Sequence, residues 1–218
     1  MAKKVKIGLL GAGRIGKLHG TNVQNFIPEA EISVVADPFM NDSMKEWAES
    51  VGIKKTSSNP EDVFADPEVD AVFICSSTDT HADFIIQAAK AGKHIFCEKP
   101  IHTDIARIKE ALQAVEEAGV KLQVGFVRRF DKNHKAVHDA VASGKLGAPY
   151  VVKVCSRDPE APPMDYVKVS GGIFMDMMIH DFDMVRYLSG SDVTEVSATG
   201  ACLVDPRFAD YDDVDTAI

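Results

Sequence analysis

Residues 5–16 read Val5-Lys6-Ile7-Gly8-Leu9-Leu10-Gly11-Ala12-Gly13-Arg14-Ile15-Gly16. The apolar positions Val5, Ile7, Leu9 and Leu10 predict a buried strand that breaks at Gly11-Ala12-Gly13. An amphipathic segment follows from Arg14. A strand that feeds a helix through a tight glycine turn aims the helix's unpaired N–H groups at one point, and that point attracts a phosphate. Gly11 permits the turn, Gly13 lets a pyrophosphate approach the backbone, and Gly16 lets helix and strand pack closely.

Three glycines at this spacing are a weak signal by themselves, since Gly-rich strand ends are common. The next segment strengthens it. Glu31-Ile-Ser-Val-Val-Ala-Asp37 reads as a second strand ending on an acid. Asp37 lies about 20 residues beyond the last glycine, where a carboxylate accepts hydrogen bonds from an adenosine ribose. The plainer reading is an Asp that caps the following helix. Strand, glycine turn, helix, strand and acid in this order favour dinucleotide binding. A carboxylate here repels a 2′-phosphate, and Pro38-Phe-Met-Asn41 offers no Arg or Lys to receive one. That favours NAD over NADP.

Moving outward along the chain, Arg14 to Phe26 reads as a helix, with Ile15, Leu18, Val23 and Phe26 roughly on one face. A helix over Ser43–Val51 opens with a capping box of Ser43 and Glu46. A short third strand is placed near Lys54–Thr56, and a further helix begins at Asn59-Pro60-Glu61. Asp70–Ser76 is an apolar fourth strand, and the helix after it, capped by Asp79 or Thr80, runs to Ala91. Lys93–Cys97, a helix from Thr103 to Ala118, and Lys121–Phe126 complete the alternation. Strands alternating with helices give a parallel sheet covered on both faces. Six strands around a glycine turn make an α/β, doubly wound parallel sheet, the Rossmann arrangement, over residues 1–126.

Such sheets bind ligands at the carboxyl ends of their strands. Cofactor contacts are therefore expected from Gly11, Gly13, Arg14, Ile15 and Gly16, and from Asp37. Ser76, Ser77 and Thr78, with His81 in the same helix, and then Glu98 and Lys99 are the remaining candidates.

Past Phe130 the rhythm changes. Residues 127–218 read as the first part of an α+β second domain. The expected elements are a helix over Asp131–Ser143, a strand over Pro149–Ser156 and an irregular Arg157–Ser170 with three prolines. A continuous helix from about Gly172 to Leu188 follows, then a strand over Val193–Val204 and the start of another at Val214–Ile218. The chain stops inside that last strand, so the second domain reads as truncated.

Composition narrows the function classes. At 218 residues, with 45% hydrophobic content, the chain suits one large or two modest globular domains. A net charge of −9 argues against nucleic acid and anionic membrane as partners. The four cysteines, Cys75, Cys97, Cys155 and Cys202, form no C-x-x-C pair, and no signal peptide is legible, which suggests a reduced cytoplasmic setting. No apolar run approaches the ~20 residues of a membrane helix.

Two places carry possible chemistry. Lys99 in Glu98-Lys99-Pro100 follows strand five, where an ammonium can polarise a hydroxyl or a developing alkoxide; a surface Lys in a turn is the alternative. The second is the helix around Asp176. Turned at ~100° per residue, it shows apolar faces separated by a narrow stripe of Asp176, His180, Asp183 and Tyr187, with Asp181 and Arg186 as exceptions. Ionisable groups on a mostly apolar helix are paired, line a cavity or form its solvated face. An imidazole held by carboxylates suits taking a proton from an alcohol. Metal binding by Asp176, His180 and Asp183 is disfavoured, because no second His or Cys set accompanies them, and no metal is expected. His19, His81, His94, His102, His134 and His138 show no partner pattern and read as packing or surface residues, not catalysts.

Gly11-Ala-Gly-Arg-Ile-Gly16, Asp37, Glu98-Lys99-Pro100 and Asp176-x-x-x-His180 together resemble the glucose–fructose oxidoreductase and inositol dehydrogenase (Gfo/Idh/MocA) family over the whole chain. The resemblance implies NAD-dependent oxidation of a secondary hydroxyl on a cyclic polyol or sugar, with myo-inositol first. It implies that His180 takes the hydroxyl proton while Lys99 and Asp176 orient substrate and tune the base. It also implies substrate contacts from Arg129, Asp158 and Asp183, and a homo-oligomer, often a tetramer. The rival readings are a dehydrogenase of scyllo-inositol or another sugar, a non-catalytic NAD-binding regulator, and a fragment that only binds nucleotide. Fold alone does not separate these.

Overall fold

A computed structural model of the protein describes residues 3–218. The chain divides into two compact units, Met1–Gly125 and Phe126–Ile218.

In the first unit β1 (Val5–Leu10) leads into α1 (Arg14–Phe26), followed by β2 (Ala30–Ala36), α2 (Asp42–Ser50), β3 (Thr56–Ser57) and α3 (Glu61–Phe64). Then come β4 (Ala71–Ile74), α4 (Thr78–Lys90), β5 (His94–Cys97), α5 (Ile105–Ala118) and β6 (Leu122–Val124). The six strands lie in the order β3-β2-β1-β4-β5-β6, every pair parallel. The chain leaves β1 in one direction to make β2 and β3 and returns to its other side for β4, so the carboxyl ends of β1 and β4 flank a topological switch point. This is the doubly wound sheet expected from the sequence.

Two apolar layers sandwich the sheet. Ile7 and Leu9 pack with Val23, Ile32, Val35 and Ala48 on the α1–α2 face. Leu10 packs with Val34, Val72, Ile74, Ile85 and Ala111 on the α4–α5 face. Successive strand residues point to opposite faces, which is why one apolar run serves both layers.

The observed elements correct several expectations. Helix α1 does not bury Leu18 or Phe26, which are exposed; it docks through Gly16, Gly20 and Val23. A Cβ on Gly20 would lie 2.9 Å from the Trp47 ring, so the glycine sets how closely α1 and α2 approach. Helix α2 is capped by Asn41, whose side chain accepts from the Met44 N–H, in place of the expected Ser43–Glu46 box. Helix α4 begins one residue after Ser77, so neither Asp79 nor Thr80 is its cap; the Thr80 hydroxyl instead donates to the Ser77 carbonyl.

The second unit opens with a 3₁₀ turn over Val127–Phe130 and α6 (Lys132–Ala142), whose N-terminus is capped by the Asp131 carboxylate. It continues with α7 (Met164–Ser170), α8 (Gly172–Asp176), α9 (Ile179–Ser189), β7 (Gly200–Ala201), a second 3₁₀ turn (Pro206–Tyr211) and β8 (Thr216–Ala217). The expected irregular stretch thus contains α7. The expected continuous helix is two: the Met178 N–H reaches back five residues to the Ile173 carbonyl, and the His180 N–H only three to Met177. A residue inserted into the ladder this way breaks regular α geometry. The Pro149–Ser156 and Val193–Val204 strands are also corrected. Residues 151–156 alternate exposed and half-buried, as a strand would, but no ladder partner meets them among the described residues. Of the second, Gly200–Ala201 pairs antiparallel with Thr216–Ala217, and Thr199 and Ile218 exchange both backbone hydrogen bonds.

Asp215 staples this small ribbon. Its carboxylate accepts from the backbone N–H groups of Asp205 (2.7 Å), Val204 (2.8 Å) and Leu203 (2.9 Å), and from the Thr216 hydroxyl. These donors, the Asp205 N–H first, hold its pKa down to about 2. An unfolded Asp titrates at about 3.9. A lowered folded pKa means that the staple stabilises fully above the unfolded value and is lost as pH falls towards about 2. NMR titration of the Leu203–Asp205 amides is expected to give a midpoint near 2; a midpoint at the unperturbed carboxylate value would reject the staple.

Candidate functional site

In the first unit, the Gly-rich turn sits at the carboxyl end of β1. Gly11 adopts φ +95°, and a Cβ there would come 2.6 Å from the Cys75 carbonyl oxygen at the end of β4. A Cβ on Gly16 would come 1.9 Å from the Gly11 carbonyl oxygen. Both glycines are therefore required by the protein's own backbone. Gly13 differs: a Cβ there would meet nothing within 4 Å. It is the N-cap residue of α1, and no side chain caps that terminus. The first N–H seen to bond back is that of Lys17, to the Gly13 carbonyl at 2.9 Å. The N–H groups of Arg14, Ile15 and Gly16 lie in the first turn, where a helix leaves its donors without intrahelical partners.

Asp37 is buried beside this turn. One carboxylate oxygen accepts from the Ala12 N–H at 2.7 Å, the other from the Phe39 N–H at 2.8 Å. Each oxygen keeps a lone pair for a further donor. The carboxylate thus both fixes the glycine turn and offers acceptors to a ribose. Ser76, Ser77 and Thr78 form the β4–α4 turn, with the Ser76 hydroxyl 2.7 Å from that of Thr80. These residues fit a dinucleotide: an uncapped helix N-terminus for the pyrophosphate, space in front of Gly13, and a carboxylate one strand away.

Two of the sequence-predicted cofactor contacts have hydrogen-bond partners within the protein. His81 is only 2% exposed, and both ring nitrogens face backbone carbonyls: Nδ1 lies 2.7 Å from Pro100 O and Nε2 3.1 Å from Ser76 O. Glu98 turns its carboxylate to His19, with Nε2 2.7 Å from Oε1. Lys99 lies half-buried between Glu98 and the buried Pro100, directly after β5. Cys75 and Cys97, at the ends of β4 and β5, are buried, and burial pushes both thiols well above their usual range, which makes them packing groups.

In the second unit the polar stripe divides. Asp176 ends α8, and its Oδ1 accepts from the Tyr166 hydroxyl of α7 at 2.9 Å. His180 lies in the first turn of α9, half-buried. Gly171 and Gly172, both at positive φ, turn the chain from α7 into α8, and the Asp213 carboxylate accepts the Ile173 N–H at 3.0 Å. Asp183 is buried and gripped by Arg129: Nη2 donates to Oδ1 at 2.6 Å and Nε to Oδ2 at 2.9 Å. The carboxylate pushes the Arg129 pKa further up. The guanidinium also lies 5.2 Å from the centroid of the Tyr187 ring, which stacks on His138 at 3.9 Å. Asp181, an apparent exception on the helix wheel, pairs with Arg128 and with the Ser156 hydroxyl. Both arginines come from the 3₁₀ turn, so the two carboxylates of α9 anchor that turn. Asp158 is exposed in the coil before α7, with no hydrogen bond to this pair. Sequence reasoning missed Tyr166 and the Arg128–Asp181 pair. Tyr166 lies ten residues before Asp176, and the partners of Asp181 lie in distant segments, so no local spacing revealed either.

Comparison with known proteins fits this geometry. Residues 5–126 match the family described as "Oxidoreductase family, NAD-binding Rossmann fold". Residues 134–218 match the GFO/IDH/MocA C-terminal domain. The chain is 51% identical over 218 residues to the "Uncharacterized oxidoreductase YrbE" of Bacillus subtilis, covering 100% of this chain and 63% of that protein. It is 45% identical over 214 residues to a Thermotoga maritima protein named "Myo-inositol 2-dehydrogenase", covering 98% of this chain and 64% of the other. A solved structure of scyllo-inositol dehydrogenase from Lactobacillus casei, with bound cofactor NAD(H) and scyllo-inositol, superposes with a TM-score of 0.88 at 33% identity, covering 99% of this chain and 65% of that one. The chain thus spans about 63–64% of the length of these curated relatives.

The Arg129–Asp183 pair yields a direct expectation. Arg129→Met leaves a buried carboxylate without its fork and is expected to cost about 1–3 kcal/mol. Adding Asp183→Leu should cost less than the sum of the single changes, because the two residues act as a unit. Urea unfolding of the three variants measures this, and additive losses would reject the coupling.

Proposed function

Because the chain belongs to the Gfo/Idh/MocA oxidoreductase family, we propose that it takes part in NAD-dependent oxidation of a secondary hydroxyl on a cyclic polyol, myo-inositol in the first place. The geometric observation that carries the cofactor half of this reading is the uncapped α1 N-terminus in front of Gly13, beside the Asp37 carboxylate. The substrate half rests on the likeness to a protein named for myo-inositol.

In this reading the α1 N-terminus receives the pyrophosphate, Asp37 accepts the ribose hydroxyls, and Ser76–Thr78 complete the cofactor surface. NAD, when bound, supplies a hydride acceptor. The proton is handled by the protein. His180 takes it from the substrate hydroxyl, acting as general base. Lys99 polarises a hydroxyl or a developing alkoxide and stabilises its charge. Asp176, held by Tyr166, tunes and orients the base. Arg129 and Asp183 act as one bidentate unit in this scheme, and Asp158 is a further candidate contact for substrate hydroxyls.

The test uses the full-length protein and follows NADH absorbance with myo-inositol, scyllo-inositol or glucose, each with NAD or NADP. Turnover is expected with myo-inositol and NAD, and a much lower kcat/KM with NADP. His180→Ala is expected to lower kcat by about 10²–10⁴. Preference for scyllo-inositol would move the substrate within the same chemistry. Tight NAD binding with no turnover on any polyol would sink the enzymatic reading in favour of an NAD-binding regulator.

A further inference from the structure

We propose that His19 and His81 are positioning residues for Lys99, holding its two chain neighbours from opposite sides: Glu98 by its carboxylate and Pro100 by its carbonyl. The inference rests on the reading of Lys99 as the group that polarises the substrate hydroxyl.

A lysine ammonium stands on a four-carbon stem, so the backbone beneath it sets the region it can reach. Misplacement of a reacting group by about 1 Å can cost 10²-fold in rate. The backbone around Lys99 is tied to side chains from two helices, α1 and α4. His19, on α1, places Nε2 2.7 Å from Glu98 Oε1. His81, on α4, places Nδ1 2.7 Å from Pro100 O. The residues immediately before and after Lys99 are thus each tied to a histidine at the same short distance.

The surroundings hold each imidazole in one orientation. The His19 ring meets Phe96 edge-on at 5.1 Å and Phe73 at 6.2 Å. His19 and Glu98 keep only 21% and 15% of their side chains exposed. A Cβ on Gly125 would lie 3.2 Å from Glu98 Oε2 and 3.1 Å from the Phe96 ring, so a bare backbone leaves room for the carboxylate. His81 is fully buried. Its neighbour at Nδ1 is a carbonyl, which only accepts, so a proton on Nδ1 is donated to Pro100. Its other nitrogen faces the Ser76 carbonyl at 3.1 Å. The ring therefore spans the turns that follow β4 and β5, the first lined by the serines assigned to cofactor binding and the second carrying Lys99. A buried histidine that touches only backbone carbonyls does no proton chemistry on a substrate; it sets loop geometry.

The test uses the full-length protein with His19→Leu, His81→Leu and two variants that keep a donor, His19→Gln for Nε2 and His81→Asn for Nδ1. Lys99→Met is the control. Three readouts are taken: kcat with polyol, the NAD dissociation constant, and hydrogen exchange of the peptide spanning residues 97–101. The leucine variants are expected to lose about tenfold or more in kcat. Both should exchange faster across 97–101, His19→Leu should keep the NAD dissociation constant within about twofold, and the amide variants should recover most of the loss. Unchanged exchange across 97–101 in both leucine variants would overturn the proposal. So would equal damage in the leucine and amide variants with NAD binding lost alongside, since that marks general unfolding. If Lys99→Met keeps full turnover, the reading of Lys99 fails; the exchange arm still decides whether the two histidines hold the loop.

Discussion

The hydrogen bond from the Ala12 N–H to the Asp37 carboxylate, 2.7 Å long and buried, ties the ends of the first two strands together. Much of the first unit depends on it. It needs β1 and β2 side by side and in parallel, so that the turn after one meets the last residue of the other. It needs the turn to be glycine at Gly11 and Gly16, because side chains there would strike backbone at 2.6 and 1.9 Å. With these met, α1 starts where its free N–H groups look past Gly13 into open space. The bond that satisfies the buried carboxylate also sets the turn in front of that helix terminus.

A second principle organises the residues around Lys99 and α9. In both places the groups nearest the proposed chemistry are steadied by charged or strongly polar pairs between segments distant in sequence. Glu98 takes His19 across 79 positions, and Asp183 takes Arg129 across 54. Such pairs add modest net stability, because desolvation offsets most of the attraction. Their use is geometric: a bidentate fork or a short imidazole–carboxylate bond admits few orientations. The break between α8 and α9 belongs to the same pattern. An inserted residue in the helix ladder between Asp176 and His180 changes the angle at which each side chain leaves the axis, which a regular helix would have fixed at one turn.

The sequence by itself determined the architecture of the first unit. The alternation of apolar strands with helices, the three glycines and Asp37 specified a parallel doubly wound sheet, because side-chain periodicity and glycine's freedom are local properties of the chain. The second unit was legible only in part. Residues 151–156 carry a strand's alternation, yet alternation fixes only an extended backbone; a ladder needs a partner, and that is not written locally. The roles of individual site residues lay beyond the sequence for the same reason. Asp181 looked misplaced on a helical wheel, and His19 and His81 looked like packing residues, because a wheel shows which residues share a face but not what crosses to meet them. Only the tertiary structure gave Asp181 to Arg128, Asp183 to Arg129 and the two histidines to Glu98 and Pro100. A hydrogen bond is decided by distance in space, and the fold alone sets that distance.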